Sequence, residues 1–216
     1  MTNRRHALQQ ARLYLVCDGI PEARLRAALR GGVQIVQLRL KDADDAHILA
    51  AGRRMLTACH EHGALLIVND HPELAARIGA DGVHVGQDDV APDQARAIVG
   101  PDRLVGLSTH TRAQVDAAGA EAALDYIGVG PVHATPTKPG RPAVGLELVR
   151  YAAAYGRLPF FAIGGIDTGN AAAVRGAGAR RIAVVRALTG SPDPELTAAE
   201  LRAAIGADTE IGVGAA

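Results

Sequence analysis

The sequence predicts an α/β fold, closed as a single (β/α)8 (TIM) barrel, on three observations. Short runs rich in Val, Ile and Leu alternate with Ala- and Arg-rich amphipathic stretches between residues 13 and 205, the pattern of a parallel sheet with helical crossovers. Eight runs and eight amphipathic stretches can be counted, enough to close a barrel of minimal size. The chain has 216 residues, 48% of them hydrophobic, which suits one barrel-sized core better than two small ones. An open, doubly wound sheet is the alternative arrangement of the same alternation.

Taken in order, the runs predict strands at 13–17, 34–38, 65–68, 82–85, 104–107, 126–129, 160–163 and 181–185. Each is short and apolar, as a strand covered on both faces must be. The stretches between and after them predict helices at 21–29, 46–62, 72–78, 92–99, 112–118, 146–155, 170–177 and 193–205. No linker interrupts the series. The barrel is expected over about residues 12–205, with a short N-terminal extension and a weakly patterned, frayed tail from Gly206 to Ala216.

Composition narrows the function. Lys plus Arg and Asp plus Glu each number 23, so no net charge points to nucleic acid or a membrane surface. Any anion site must be local. The first twelve residues are polar and carry Arg4, Arg5 and Arg12, unlike a secretory signal, and no stretch approaches membrane-spanning length. Cys17 and Cys59 are far apart, without metal-ligand spacing and too few for a disulfide framework. Both are expected to be reduced and buried in a cytoplasmic protein.

In such a barrel chemistry sits at the carboxyl ends of the strands, and here most of those ends are polar. The second carries Gln37, Arg39 and Lys41, whose alternate spacing points three side chains to one face. The third carries Asn69 and Asp70, and the fourth Asp88 and Asp89. Adjacent parallel strands would bring these acids to one mouth, a seat for a hard cation such as Mg²⁺, with Mn²⁺ suited to the same ligands. The plainer alternative makes Asp70 a helix cap and Asp88 and Asp89 turn residues.

Ser108 and His110 end the fifth run. The sixth enters a loop over residues 130–142, too rich in Pro and Gly to be helical, which reads as a shaped lid carrying Lys138. Gly164-Gly165 after the seventh and Val185-Arg186 after the eighth occupy the usual phosphate position of these barrels. Alone, the glycine pair could be a tight turn, and Arg39, Lys41 and Lys138 could be solvated charges. Together they define two anion sites. One is sized for a monophosphate. The other combines Asp70, Asp89 and a metal with Arg39, Lys41 and Lys138, matching the roughly three negative charges of a diphosphate ester.

At this point the chain resembles the thiamine-phosphate synthase family. The resemblance rests on Leu13-Tyr14-Leu15-Val16, Val36-Gln37-Leu38-Arg39-Leu40-Lys41, Val68-Asn69-Asp70, Asp81-Gly82-Val83-His84-Val85-Gly86-Gln87-Asp88-Asp89 and Gly106-Leu107-Ser108-Thr109-His110. It continues through Gly128-Val129-Gly130-Pro131, Thr135-Pro136-Thr137-Lys138, Ile163-Gly164-Gly165-Ile166 and Val184-Val185-Arg186-Ala187-Leu188. Each motif is modest, and the ordered set is specific. The resemblance implies that Arg39, Lys41, Asn69, Ser108 and Lys138 hold the diphosphate of an aminopyrimidine substrate, with Gln37 near the pyrimidine. It implies one Mg²⁺ on Asp70 and Asp89, and it is the family pattern that selects Asp89 over Asp88. Thr135 and Thr137 would contact a thiazole partner, whose phosphate would rest on Gly164 and the backbone of Val185 and Arg186. The sequence departs from the family at Leu40, where an acid is common, and at Cys17, where Thr is common.

The implied chemistry is a transfer: diphosphate leaves the pyrimidine methylene, the electron-rich ring stabilises the cation, and the thiazole nitrogen attacks. Arg39, Lys41, Ser108 and Lys138 are expected to stabilise the departing charge, and Lys138 to close over it. No Ser-His-Asp order or reactive-cysteine motif indicates covalent catalysis. His84 reads as a structural histidine, whereas His110 is balanced between structure and proton transfer. In the related thiazole tautomerases a His at the matching place moves a proton, and those relatives are one alternative. They lack the second metal carboxylate. A non-catalytic barrel that binds a phosphate ligand is the other.

Overall fold

A computed structural model describes residues 3–134 and 142–206. Its elements, in chain order, are α1 (Arg4–Gln10), β1 (Leu13–Cys17), α2 (Glu22–Arg30), β2 (Ile35–Leu38), α3 (Asp45–Glu61), β3 (Leu65–Asn69), α4 (Pro72–Ile78) and β4 (Gly82–Val85). They continue with α5 (Pro92–Val99), β5 (Leu104–Thr109), α6 (Arg112–Ala118), β6 (Tyr126–Val129), α7 (Gly145–Tyr155), β7 (Phe160–Ile163), α8 (Ala171–Gly176), β8 (Ile182–Val184), α9 (Arg186–Thr189) and α10 (Pro194–Ile205). The strands are all parallel and pair in sequence order, and β8 returns to β1. The sheet is therefore a closed (β/α)8 barrel.

Strand parity separates two cores. Leu13, Leu15 and Cys17 face outward against the helices, while Tyr14 and Val16 face the barrel axis. The same alternation puts Val36 and Leu38 outside and Ile35 inside, Leu66 and Val68 outside and Leu65 and Ile67 inside. Both faces are apolar, which is why the sequence shows continuous runs and no alternation of polarity. Cys17 and Cys59 are free, buried thiols in the outer layer.

Two helices lie outside the predicted set. α1 puts Leu8 into the inner core together with Ala11, so the N-terminal extension closes the amino-terminal end of the barrel. α9 is a single turn directly after β8. The remaining helices match the expected ones to within two residues, and the strands differ chiefly in that β3 and β5 extend to Asn69 and Thr109. Residues 207–216, which include most of the expected tail, lie outside the described residues.

Candidate active site

The same parity that builds the inner core delivers the site. Continuing the inward series past the ends of the strands gives Gln37 and Arg39 from β2, Asn69 from β3, His84 from β4, and Ser108 and His110 from β5 and its end. All six line one cavity of about 350 Å³ at the carboxyl end of the barrel. Gly164, Val185 and Arg186 line it from the opposite wall. Its floor is aromatic: Tyr14, Tyr126 and Phe161 pack with ring centroids 5.2 to 6.2 Å apart, and Phe161 meets each tyrosine edge to face. The chain holds only four Tyr, two Phe and no Trp, so half of its scarce aromatic rings serve this floor.

Predicted site residues divide into three groups. Those named above meet in the cavity. Lys41, Asp70 and Asp89 stand apart from its walls: Lys41 is exposed beyond the end of β2, so the three-residue alternation from Gln37 continues into the cavity only as far as Arg39. Leu40 packs outward on the helix layer, as its parity requires. Thr135, Thr137 and Lys138 lie outside the described residues, as does most of the loop at 130–142.

Asp70 and Asp89 nevertheless meet. Their carboxyl groups are in hydrogen-bond contact, and the Asp70 carboxyl is held above the usual range first by burial and then by Asp89, with Asn69 and the Lys41 charge acting the other way. Asp89 accepts the Gly86 N–H at 2.7 Å, which turns its carboxylate back toward the strand end. Asp88 is exposed. Asp70 has φ 62°, the one positive value at a non-glycine residue among the described residues, and the His71 N–H donates to the Asn69 carbonyl across it at 2.9 Å. Such a three-residue turn is strained, and strain of this kind is characteristic of functional positions.

At the ends of β7 and β8, where the sequence predicts a phosphate, the backbone is bare by necessity. Gly164 has φ 107°, and a Cβ there would stand 2.5 Å from the Cα of Pro131. Gly165 follows at φ 63°, so two consecutive residues adopt conformations that side chains disfavour. Arg186 begins α9, and exposed N–H groups at such a turn are an anion-binding arrangement.

Sequence reasoning missed the polar chain that runs through the floor and wall of the cavity. Gln37 Nε2 donates to the Tyr14 hydroxyl at 2.7 Å, Tyr14 and Tyr126 hydroxyls are 3.1 Å apart, and the Tyr126 hydroxyl is 3.2 Å from His84 Nδ1. His84 Nε2 is 3.0 Å from Ser108 Oγ. His84 is thus buried in a hydrogen-bonded chain and touches a predicted ligand-binding residue. The inward parity of positions 14 and 126 was a usable signal. His110 Nδ1 is 2.5 Å from the Gly130 carbonyl, and its N–H donates to Gln114 Oε1 at 2.7 Å.

The class this defines is a (β/α)8 barrel with a cavity lined by polar side chains at the carboxyl ends of its strands. Residues 13–188 match the family model described as thiamine monophosphate synthase, and the chain belongs to that family. It is 51% identical over 199 residues to thiamine-phosphate synthase of Thermus thermophilus, covering 88% of this chain and 95% of that one. It is 46% identical over 209 residues to thiamine-phosphate synthase of Parasynechococcus marenigrum, covering 96% of this chain but spanning 60% of that longer protein. Among solved structures, thiamine phosphate pyrophosphorylase from Pyrococcus furiosus superposes with a TM-score of 0.84 at 32% identity, covering 94% of this chain and 98% of that one. Among the described residues, no helix is long and apolar enough to cross a membrane.

Proposed function

We propose that this chain is a transferase that joins an aminopyrimidine methyl diphosphate to a thiazole phosphate, giving thiamine phosphate and diphosphate. The observation that carries this reading is the convergence of Gln37, Arg39, Asn69 and Ser108 with Gly164, Val185 and Arg186 on one cavity. A pyrimidine head and a phosphate-bearing partner would thereby be held face to face, and orientation alone can contribute several kcal/mol to such a reaction. Arg39, Asn69 and Ser108 bind the diphosphate, with Lys41 and Lys138 adding charge from outside the cavity wall and from the 130–142 loop. Gln37 orients the pyrimidine over the aromatic floor. The thiazole phosphate rests on Gly164 and the backbone of Val185 and Arg186, with Thr135 and Thr137 beside the thiazole.

Asp70 and Asp89 fit one Mg²⁺. Two carboxylates in contact, one of them held above its usual range first by burial and then by the other, form a site that a divalent cation would relieve. No cluster of three or more His, Cys, Asp or Glu capable of holding a metal occurs among the described residues, and a two-carboxylate seat completed by water and substrate phosphate is the usual arrangement for Mg²⁺. Bound there, the ion would neutralise charge growing on the leaving diphosphate. Arg39 and Ser108 meet the same charge with fixed donors, which need no reorganisation as it develops. Buried free thiols at Cys17 and Cys59 suit a reducing compartment, and we place the reaction in the cytoplasm.

The deciding experiment measures thiamine phosphate and diphosphate from the two precursors, with Mg²⁺ and with chelator, for the native chain and Asp89→Ala. Metal-dependent product that is lost in the variant is expected. Absence of product alongside tight binding of thiazole phosphate would overturn the reading in favour of a tautomerase or a non-catalytic binding barrel.

A further inference from the structure

The polar chain that lines the cavity has a direction, and the direction has a consequence for substrate choice. Each hydroxyl in it can donate one hydrogen bond, and a neutral imidazole offers one donor and one acceptor. With His84 neutral, the five groups in series have two self-consistent arrangements, all pointing one way or all pointing the other. An anionic diphosphate oxygen accepts only, so Ser108 must donate its single proton outward when that ligand is bound. Ser108 Oγ then accepts from His84 Nε2–H across 3.0 Å. His84 Nδ1 is left to accept from the Tyr126 hydroxyl at 3.2 Å, and the Tyr126 oxygen to accept from the Tyr14 hydroxyl at 3.1 Å. The Tyr14 oxygen accepts from the Gln37 amide nitrogen at 2.7 Å. That sense turns the Gln37 carbonyl oxygen toward the ligand.

We infer that Tyr14, Tyr126 and His84 are positioning residues that couple the two ends of the substrate site: binding of an anion at Ser108 fixes Gln37 as a hydrogen-bond acceptor and thereby selects a pyrimidine bearing an amino donor over one bearing a carbonyl at that position. This rests on the synthase reading, which supplies the diphosphate at Ser108 and the pyrimidine at Gln37. Three features show that the chain is built into the fold. His84, Gly106 and Tyr126 are neighbours across β4, β5 and β6, and a Cβ on Gly106 would collide with Tyr126 Cζ and lie 2.6 Å from His84 Nδ1. The missing side chain is what lets imidazole and phenol meet across the intervening strand. Tyr14, Gln37, His84 and Tyr126 are all buried, so exchange of a partner for bulk water is costly. Burial also pushes both phenols well above their ordinary range, keeping each a donor at any working pH.

The test is calorimetric binding of two non-reacting pyrimidine diphosphates, one with the amino group and one with a carbonyl in its place, in the absence of thiazole partner. The native chain is expected to prefer the amino compound by roughly tenfold or more, the range set by a mismatched buried hydrogen bond. Tyr126→Phe and, independently, Tyr14→Phe should collapse that preference to about unity, while binding of thiazole phosphate at the far wall stays unchanged as evidence of an intact barrel. A uniform loss for both pyrimidines, or a preference that persists in both variants, would overturn the coupling. Failure of the native chain to bind either pyrimidine would instead remove the synthase reading, and the coupling with it.

Discussion

Asp70 concentrates the conflict between stability and chemistry in a single residue. Its backbone occupies the left-handed region and its carboxyl is held against Asp89. A charge that folding makes harder to form costs stability, and removing it should return some of that cost. Asp70→Asn keeps the shape, can hydrogen-bond Asp89, and ends the repulsion. It is expected to raise the thermal midpoint of the metal-free protein by a few degrees, since about 1 kcal/mol moves a domain of this size by ~2–4 °C. The same variant should lose turnover and any Mg²⁺-dependent rise in that midpoint. A lowered midpoint with turnover intact would show that Asp70 serves the turn and not the site. The sequence placed Asp70 at a strand end because strand ends are legible in apolar runs. Adjacent parallel strands already brought it to one mouth with the acids after β4, but periodicity could not choose Asp89 over Asp88, because it is the Gly86 N–H in the following turn that holds the Asp89 carboxylate.

At the scale of elements, the amino-terminal end of the barrel uses a device that the motifs concealed. Asp81, inside a family motif, stands just before β4, and Asp125 just before β6. Each donates its N–H to the neighbouring strand and accepts one back: Asp81 exchanges with Leu66 at 2.8 and 3.0 Å, and Asp125 with Val105 at 2.8 and 2.8 Å. Arg4 and Arg5, consecutive on α1, then bind Asp81 at 2.9 Å and Asp125 at 2.8 Å. α1 was illegible because it is a polar seven-residue helix with only Leu8 buried, and α9 because four residues show no periodicity. Their placement comes from partners distant in sequence. Asp81→Ala strands the buried Leu66 N–H as well as the charge of Arg4, so it is expected to cost about 3 kcal/mol in urea unfolding. Arg4→Ala leaves Asp81 with His60 and Leu66 and should cost less than about 1 kcal/mol. Equal losses would mean that the carboxylate acts only through its ion pair.

Across the whole molecule, what the sequence made legible was parity. Runs apolar on every residue announced strands covered on both faces, and counting two from Tyr14, Gln37 or Ser108 identifies the axis-facing positions without any knowledge of the closed barrel. Closure itself brings Tyr14 beside Tyr126, 112 residues away, and no local pattern encodes that meeting. Closure also sets the pH range of the fold. Cys17 and Cys59 lie in the layer between barrel and helices. Burial pushes the Cys17 thiol up to about 11 from an ordinary value of 9.0, and pushes Cys59 up as well, with Cys17 and Asp81 adding to the effect. Above pH 9 the unfolded chain releases these protons while the native state keeps them. The native state then binds more protons than the unfolded one, so stability falls as pH rises, by about 1.4 kcal/mol per unit for each such thiol. For Cys17 the loss is complete near pH 11, and below pH 9 it is absent. Urea unfolding at pH 8 and pH 10 should therefore separate by about 2 to 3 kcal/mol in the native chain, and by about half as much in Cys17→Ala. If the alkaline loss is the same with and without Cys17, the thiol layer does not govern it, and the buried phenols of Tyr14 and Tyr126 become its source.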